Sequence, residues 1–365
     1  MREPSIPYRR IFNLHIAGDK FNKPEQVVRH IGALQAQDYH QALWAVGVRM
    51  QAATAADIEQ SIADRKIMLT WPLRGTIHFV LPEDVRWVLK LLAPRVLAQD
   101  QRRLQQLELD QTTIERSKQL IHDALQGNKR IIRPHLMQLL EDHGIGTNNQ
   151  RGYHLLWHLA VSGHICLGPR EGKQQTFVLL DEWVPAAKEI PRSEALALLA
   201  ERYFTGHGPA TVQDFSWWAG ITLSDARQGV EAAQSRLAME KMQGQEYWGP
   251  SHVHVGAMEE GAKVYLLPGF DEYLLGYKDR SSVLSAEYAR HIVPGNNGVF
   301  LPTIVMDSQI AGTWKRTMKS KGIDIEFNLF PSLKVSEQHL IEAAERYCRF
   351  MGQPLAATSF QGVDP

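Results

Sequence analysis

Cysteine is scarce in this sequence. The 365 residues hold two, Cys166 and Cys348. That excludes a disulfide scaffold and a multi-cysteine zinc module. Net charge is absent too: 40 lysines and arginines balance 40 aspartates and glutamates. A histone-like polycation is therefore excluded, and any nucleic-acid binding needs a localised basic face. No apolar run approaches the roughly 18 residues of a membrane span. The opening MREPSIPYRR lacks the apolar stretch of a signal peptide, so the expected compartment is the cytoplasm, with reduced thiols. There is no acidic tail, no low-complexity tract and no tidy repeat.

What is present suits a packed protein of two to three domains, with 44% apolar and 22% charged residues. Residues 1–100 carry 13 basic and 10 acidic side chains, and residues 191–290 carry 9 and 13, so the first half is only slightly the more basic. The stretch KRIIRPHLMQLLEDHGIGTNNQRGYHLLWHLAVSGHICLG is the most legible. A short helix is predicted from Pro134 to about His143, with proline in its first turn and Gly144 as its stop. Asn148 or Asn149 then caps a second helix whose stripe is Tyr153, Leu156, Trp157 and Ala160. Gly163 ends it. Ile165 to Leu167 and Thr176 to Leu180 read as strands around the polar loop PREGKQQ. Helix, turn, helix and a two-stranded ribbon make a winged helix-turn-helix.

The order recurs downstream. Ser193 caps SEALALLAERYFTGHG, Thr211 caps VQDFSWWAG, Ser224 caps DARQGVEAAQSRL, and MEKMQGQEYWG forms a hairpin. Trp217 and Trp218 read as core residues rather than stacking platforms. Upstream, PYRRIFNLHIAG and KPEQVVRHIGALQAQ read as helices, followed by DYHQALWAVGVRM. ATAADIEQSIADRK then leads into the strand-rich MLTWPLRGTIHFVL. From about Ala262 to Val335 strands dominate, with turns at Pro294-Gly295 and Asn296-Asn297-Gly298, and SEQHLIEAAERYCRFMG closes the chain as a helix. The predicted fold class is mainly α with small β wings, an α+β arrangement of tandem winged-helix units and a strand-rich C-terminal segment. The predicted divisions are 1–125, an N-terminal winged-helix-like unit, 126–190, a central winged helix, 191–258, a third such unit, and 259–365, the strand-rich segment and closing helix.

Candidate chemistry is sparse. His154 and His158 stand at i and i+4 with His164 and Cys166 just beyond, a spacing that zinc tolerates. No HExxH carboxylate accompanies them, and core or groove-edge histidines are the plainer reading, as for the alternating His252 and His254. No metal is therefore assigned. HGIGTNNQRG has glycines but no phosphate-loop lysine, and no GxSxG elbow occurs. Lys129, Arg130 and Arg133 form one modest basic cluster, with Arg151 near the start of the next helix. Lys315, Arg316, Lys319 and Lys321 form another. These side chains suit phosphates as well as an ordinary solvated face. The most pointed feature is Leu34-Gln35-Ala36-Gln37-Asp38. On extended backbone the amides of Gln35 and Gln37 fall on one side and can hold one water between them. Alone, such a pair is usually just solvated glutamine.

Taken together, LQAQDYHQALWAVGVR, TWPLRGTIHFV, LLPGFDEYLLGYKDRSSVL and DSQIAGTWKR closely resemble the winged-helix DNA-binding family that includes the AlkZ-like DNA glycosylases. The match spreads over almost the whole chain, and the order of the words is more specific than any one of them. The resemblance implies tandem winged helices around a concave DNA channel. It also implies excision of alkylated purines such as N7-alkylguanine, with unhooking of interstrand crosslinks in one branch. The family motif, glutamine, aliphatic, glutamine, falls on Gln35, Ala36 and Gln37. Related branches carry histidine first or aspartate second, and this chain keeps glutamine at both.

On that footing the expectation is a DNA N-glycosylase without strand cleavage, monomeric and without a cofactor. It would act on double-stranded DNA containing alkylated bases, at the nucleoid if bacterial. Gln35 and Gln37 would orient the water, and Asp38 reads as a helix cap or ion-pair partner. Arg74 and His78 would share one strand face with position 76 and meet DNA or the glutamines, a buried strand with a paired arginine being equally open. The segment from His291 to Met306 is a candidate groove-probing hairpin. Asp271 and Glu272 read as structural, with Arg280 as an ion-pair partner. The rival function is a non-enzymatic winged-helix regulator, which requires an exposed basic recognition helix. NNQRGYHLLWHLAVSG offers only Arg151.

Overall fold

In a computed structural model, which describes residues 5–184, 186, 189–242, 244–251, 263–296, 298–331 and 335–362, one order of elements occurs three times. The first repeat opens with the helix Pro24–Ile31, which has proline in its first turn and ends at Gly32, φ +87°. β1 (Leu34–Gln35) follows, then the helices Tyr39–Gly47 and Ala55–Ala63, then β2 (Met68–Leu73) and β3 (Thr76–Val80). Arg74 and Gly75 both take positive φ between these strands, the conformation of the tightest hairpin turns. β1 pairs with β3, setting Leu34 opposite Phe79 and Gln35 opposite His78.

The second repeat runs from the helix Gln111–Leu125 through β4 (Ile131–Ile132), the helices Arg133–Asp142 and Arg151–Val161, and the hairpin β5 (Ile165–Leu167) and β6 (Thr176–Leu179). Again the first strand lies on the last. In the third, the helix Arg192–His207 leads to an isolated bridge from Ala210 to Trp248. The helices Val212–Ala219 and Leu223–Ala233 and the hairpin β7 (Leu237–Met242) and β8 (Gln245–Pro250) complete it.

The first two hairpins are not separate small wings, which corrects that expectation. Leu69 of β2 pairs with Leu167 of β5, giving one six-stranded sheet ordered β1-β3-β2-β5-β6-β4. A second sheet, β13-β12-β11-β10-β9, combines β9 (Val264–Leu267), β10 (Thr303–Met306), β11 (Gln309–Lys319), β12 (Gly322–Leu329) and β13 (Leu355–Gly362). β12 and β13 run parallel and the other neighbours antiparallel. The helix Glu337–Phe350 packs on this sheet, with Tyr347 edge-on against Trp314 of β11. Buried ties join the sheet to the first repeat. Trp44 donates its indole N–H to the Leu266 carbonyl at 2.7 Å, and Arg49 forms two bonds to Asp271, at 2.8 and 2.9 Å.

Several local expectations are corrected. KPEQVVRHIGALQAQ is helical only to Ile31, because Gly32 turns the chain and the following residues go extended. The helix Arg151–Val161 is preceded by Gln150 in the left-handed region rather than capped by Asn148 or Asn149, and Tyr153 is 40% exposed. Pro191 and Thr222 occupy the cap positions expected for Ser193 and Ser224. Among the described residues His291 to Met306 holds no hairpin: Ala289–Ile292 is a helical turn, Pro294–Asn296 a 3-10 turn, and β10 the one strand. The helix Pro82–Gln106 went unread, although Pro82, Glu83 and Asp84 make an orthodox first turn. His252 and His254 lie outside the described residues.

Candidate active site

Extended backbone carries the glutamine motif. Ala36 N–H donates to the Ile77 carbonyl at 2.7 Å, and Ala36 is 3% exposed. Alternation therefore sends Gln35 and Gln37 to the side away from Ala36. Gln35 is half-buried and makes no hydrogen bond to the described residues, while Gln37 is exposed. Gln37 Oε1 accepts from Ile77 N–H at 3.3 Å, taking a donor that the departing strand no longer serves. Its amide nitrogen is left outward. Asp38 caps the next helix, accepting from Gln41 N–H at 3.2 Å, one of the roles expected for it.

Two cations from distant parts of the chain converge where that helix begins. Arg170, in the loop between β5 and β6, lies 4.2 Å above the Tyr39 ring. Arg316, on β11, hydrogen-bonds the Tyr347 hydroxyl. Burial first, then Arg316 and Arg170, lower the His40 imidazole below its usual range. Burial and Glu59 push the Tyr39 hydroxyl upward. The helix N-terminus adds its own positive end, and the carboxylates of Asp38 and Glu59 face these cations. Arg170 was not singled out in the sequence. PREGKQQ is legible as a loop between strands, but its seat on Tyr39 depends on tertiary packing.

The other candidates divide. Arg74 and His78 do not share a strand face, because Arg74 sits in the turn at φ +52°. Its guanidinium donates to the Trp218 carbonyl and lies 5.2 Å from the Trp217 ring, so it fastens the hairpin to the third repeat. His78 has no exposed surface and cannot touch DNA directly. Arg151 is turned inward, donating to the carbonyls of Gly146, Leu107 and Glu108. Lys129, Arg130 and Arg133 are exposed around β4. Lys315 and Lys319 are exposed on β11, with Lys319 paired to Asp324.

Asp271 and Glu272 are structural, but not through Arg280. Asp271 holds Arg49, and Glu272 accepts from Trp218 Nε1 and meets His207 Nε2, both at 3.0 Å. Arg280 instead donates to the Leu274 carbonyl. Trp218 is fully buried, whereas Trp217 is half-buried beneath Arg280 at 4.9 Å. His154 lies 2.6 Å from Asp100 and stacks on Trp157. Among the described residues no three histidine, cysteine or acidic side chains form a metal-sized group. Cys166 is fully buried, which pushes its thiol up and away from nucleophilic use. No described helix is long and apolar enough to cross a membrane.

Set beside known proteins, the chain falls in a DNA N-glycosylase class. The family model described as DNA glycosylase AlkZ-like matches residues 28–350, and the chain belongs to that family. It is 26% identical over 309 residues to an interstrand DNA cross-link repair glycosylase of Streptomyces sahachiroi, covering 79% of this chain and 81% of that protein. The solved structure of Streptomyces sahachiroi DNA glycosylase AlkZ superposes at a TM-score of 0.81 with 21% identity, covering 97% of this chain and 98% of that one.

Proposed function

We propose that the protein hydrolyses the N-glycosidic bond of alkylated purines such as N7-alkylguanine in double-stranded DNA, with Gln35 and Gln37 positioning the water. The observation that carries this is the extended Gln35-Ala36-Gln37 segment, its alanine buried and its two glutamines on the other side of the strand, just ahead of the helix start that Arg170 and Arg316 approach. An N7-alkylated guanine is already cationic, so its bond to C1′ is weak before any protein acts. The water oxygen bonds to C1′ as the bond to N9 breaks. The electron pair leaves with the base and neutralises it, and a water proton passes to solvent. Neutral amides are poor bases but good positioners, and holding reacting groups at attack distance lowers a barrier by several kcal/mol.

Gln37 is exposed, which suits a base still tethered to the opposite strand, so interstrand crosslinks fall within the proposed range. Lys129, Arg130, Arg133, Lys315, Arg316 and Lys319 are the proposed phosphate contacts. The helix–strand–helix–helix–hairpin order, with the first strand on the last in two repeats and a bridge in its place in the third, supports reading each repeat as a winged helix. A regulator is disfavoured by one observation: eight of the eleven residues of Arg151–Val161 are buried, so this helix does not stand out to enter a groove. Base release from a panel of N7-alkylated and crosslinked duplexes tests the assignment. Release from the alkylated members is expected, and release from none contradicts it.

A further inference from the structure

The face of the sheet that carries Gln35 continues inward as a row of polar side chains, two of which hold a buried atom without a partner. Gln35 on β1 is directly opposite His78 on β3, and His78 is directly opposite Thr70 on β2. His78 Nε2 and Thr70 Oγ1 are buried and make no hydrogen bond. The register is informative. Ala36 and Ile77 carry the ladder bond, so Gln35 and His78 occupy the narrow, unbonded kind of pair, where facing side chains approach most closely.

The protonation of His78 follows from its neighbours. Nδ1 lies 2.8 Å from the Thr76 carbonyl, which only accepts, so Nδ1 carries the proton and Nε2 keeps a bare lone pair. Burial, then the charge of Arg74, hold the ring neutral. A fully buried acceptor with nothing to accept is a costly feature that calls for a donor. Two side chains stand directly opposite His78, Thr70 with its unpartnered hydroxyl and Gln35, whose amide is the one that reaches the solvent side.

We infer that His78 is a positioning residue for Gln35: its bare Nε2 draws the amide NH2 inward and thereby turns Gln35 Oε1 outward to the water. The two ends of an amide are chemically opposite. A nucleophilic water must give its hydrogens to acceptors so that an oxygen lone pair faces C1′. Gln35 does this only with its carbonyl oxygen outward. Were Nε2 protonated, the amide would present the wrong end, and the water would turn its hydrogens toward the sugar. The inference rests on the glycosylase reading proposed above and assigns His78 a task without contact to DNA.

Single-turnover release of 7-methylguanine from a duplex is the test. His78→Phe is expected to slow release roughly 10- to 100-fold, as when an orienting partner of a reacting group is removed, with duplex affinity unchanged. His78→Gln, which restores an acceptor oxygen, is expected to recover most of the rate. In a Gln35→Ala background, His78→Phe should add less than about twofold, because the two residues act as one unit. Equal slowing in both backgrounds, or a folded His78→Gln no better than His78→Phe, overturns the inference alone. If the unsubstituted protein releases no base, or Gln35→Ala releases it undiminished, the glycosylase reading falls and His78 with it. Should His78→Phe fail to fold, ring 15N shifts of the intact protein decide. A protonated Nδ1 and bare Nε2 between about pH 5 and pH 8 are expected, and a protonated Nε2 overturns the inference.

Discussion

Removing the Asp271 carboxylate should cost this protein more than almost any other single side-chain change. Arg49 has no exposed surface, and each of its three guanidinium nitrogens donates a hydrogen bond. It gives two bonds to Asp271, one to the Leu14 carbonyl at 3.0 Å and one to the Ala45 carbonyl at 2.7 Å. Asp271→Ala leaves that charge buried and unpaired, which costs about 3–5 kcal/mol. It also removes the bond that caps Tyr273 N–H at 2.9 Å, worth about 1 kcal/mol. The expected loss in urea unfolding is therefore about 4–6 kcal/mol. The pair Arg49→Met with Asp271→Leu removes both charges and should recover most of that loss, since neither ion then remains without its partner. A loss below about 1 kcal/mol for the single variant refutes the claim that this pair clamps the C-terminal sheet to the first repeat. So does a double variant as unstable as the single.

Acid should weaken the fold through two histidines, the buried His78 and the half-buried His30. Burial lowers His30 to about 4 and His78 to about 3, both below the unfolded value of 6.5. The unfolded chain thus binds more protons in this window, and stability is full above pH 6.5 and falls as pH drops toward these values. Each group contributes a slope of about 1.4 kcal/mol per pH unit. A stability profile from pH 7 to pH 4 checks this, and His78→Gln should flatten it. Two arginines should separate in DNA binding. Arg170→Ala is expected to reduce the slope of log affinity against log salt by about 1, whereas Arg151→Ala should lower the melting midpoint and leave that slope unchanged. Equal slopes for the Arg170 variant and the parent would remove Arg170 from the DNA-facing side.

Much of the local architecture was written in punctuation. Thr211 begins its helix with a complete capping box, Gly163 ends another at φ +77°, and PREGKQQ connects two strands, all as the residue types demand. Nothing local announced the merging of two hairpins into one sheet. That depends on a single cross-repeat pair, Leu69 with Leu167, whose side chains look like any strand core. Arg74 shows the same limit. Arg-Gly marked a turn, but the burial of that turn against Trp157 and Trp217 comes from elements more than eighty residues away. Gln35 and Gln37 were legible as a pair because alternation is a backbone property. The cations at the start of the following helix were not, since Arg170 and Arg316 arrive from separate sheets.

The measurement that bears most directly on the central claim is release of 7-methylguanine from an alkylated duplex by the intact protein, beside Gln35→Ala and Gln37→Ala. The expected result is release by the intact protein and a fall of roughly 10- to 100-fold in each variant, with both variants still folded and bound to DNA. No release by the intact protein, or an undiminished rate in either variant, would contradict the assignment of this amide pair as the group that places the water.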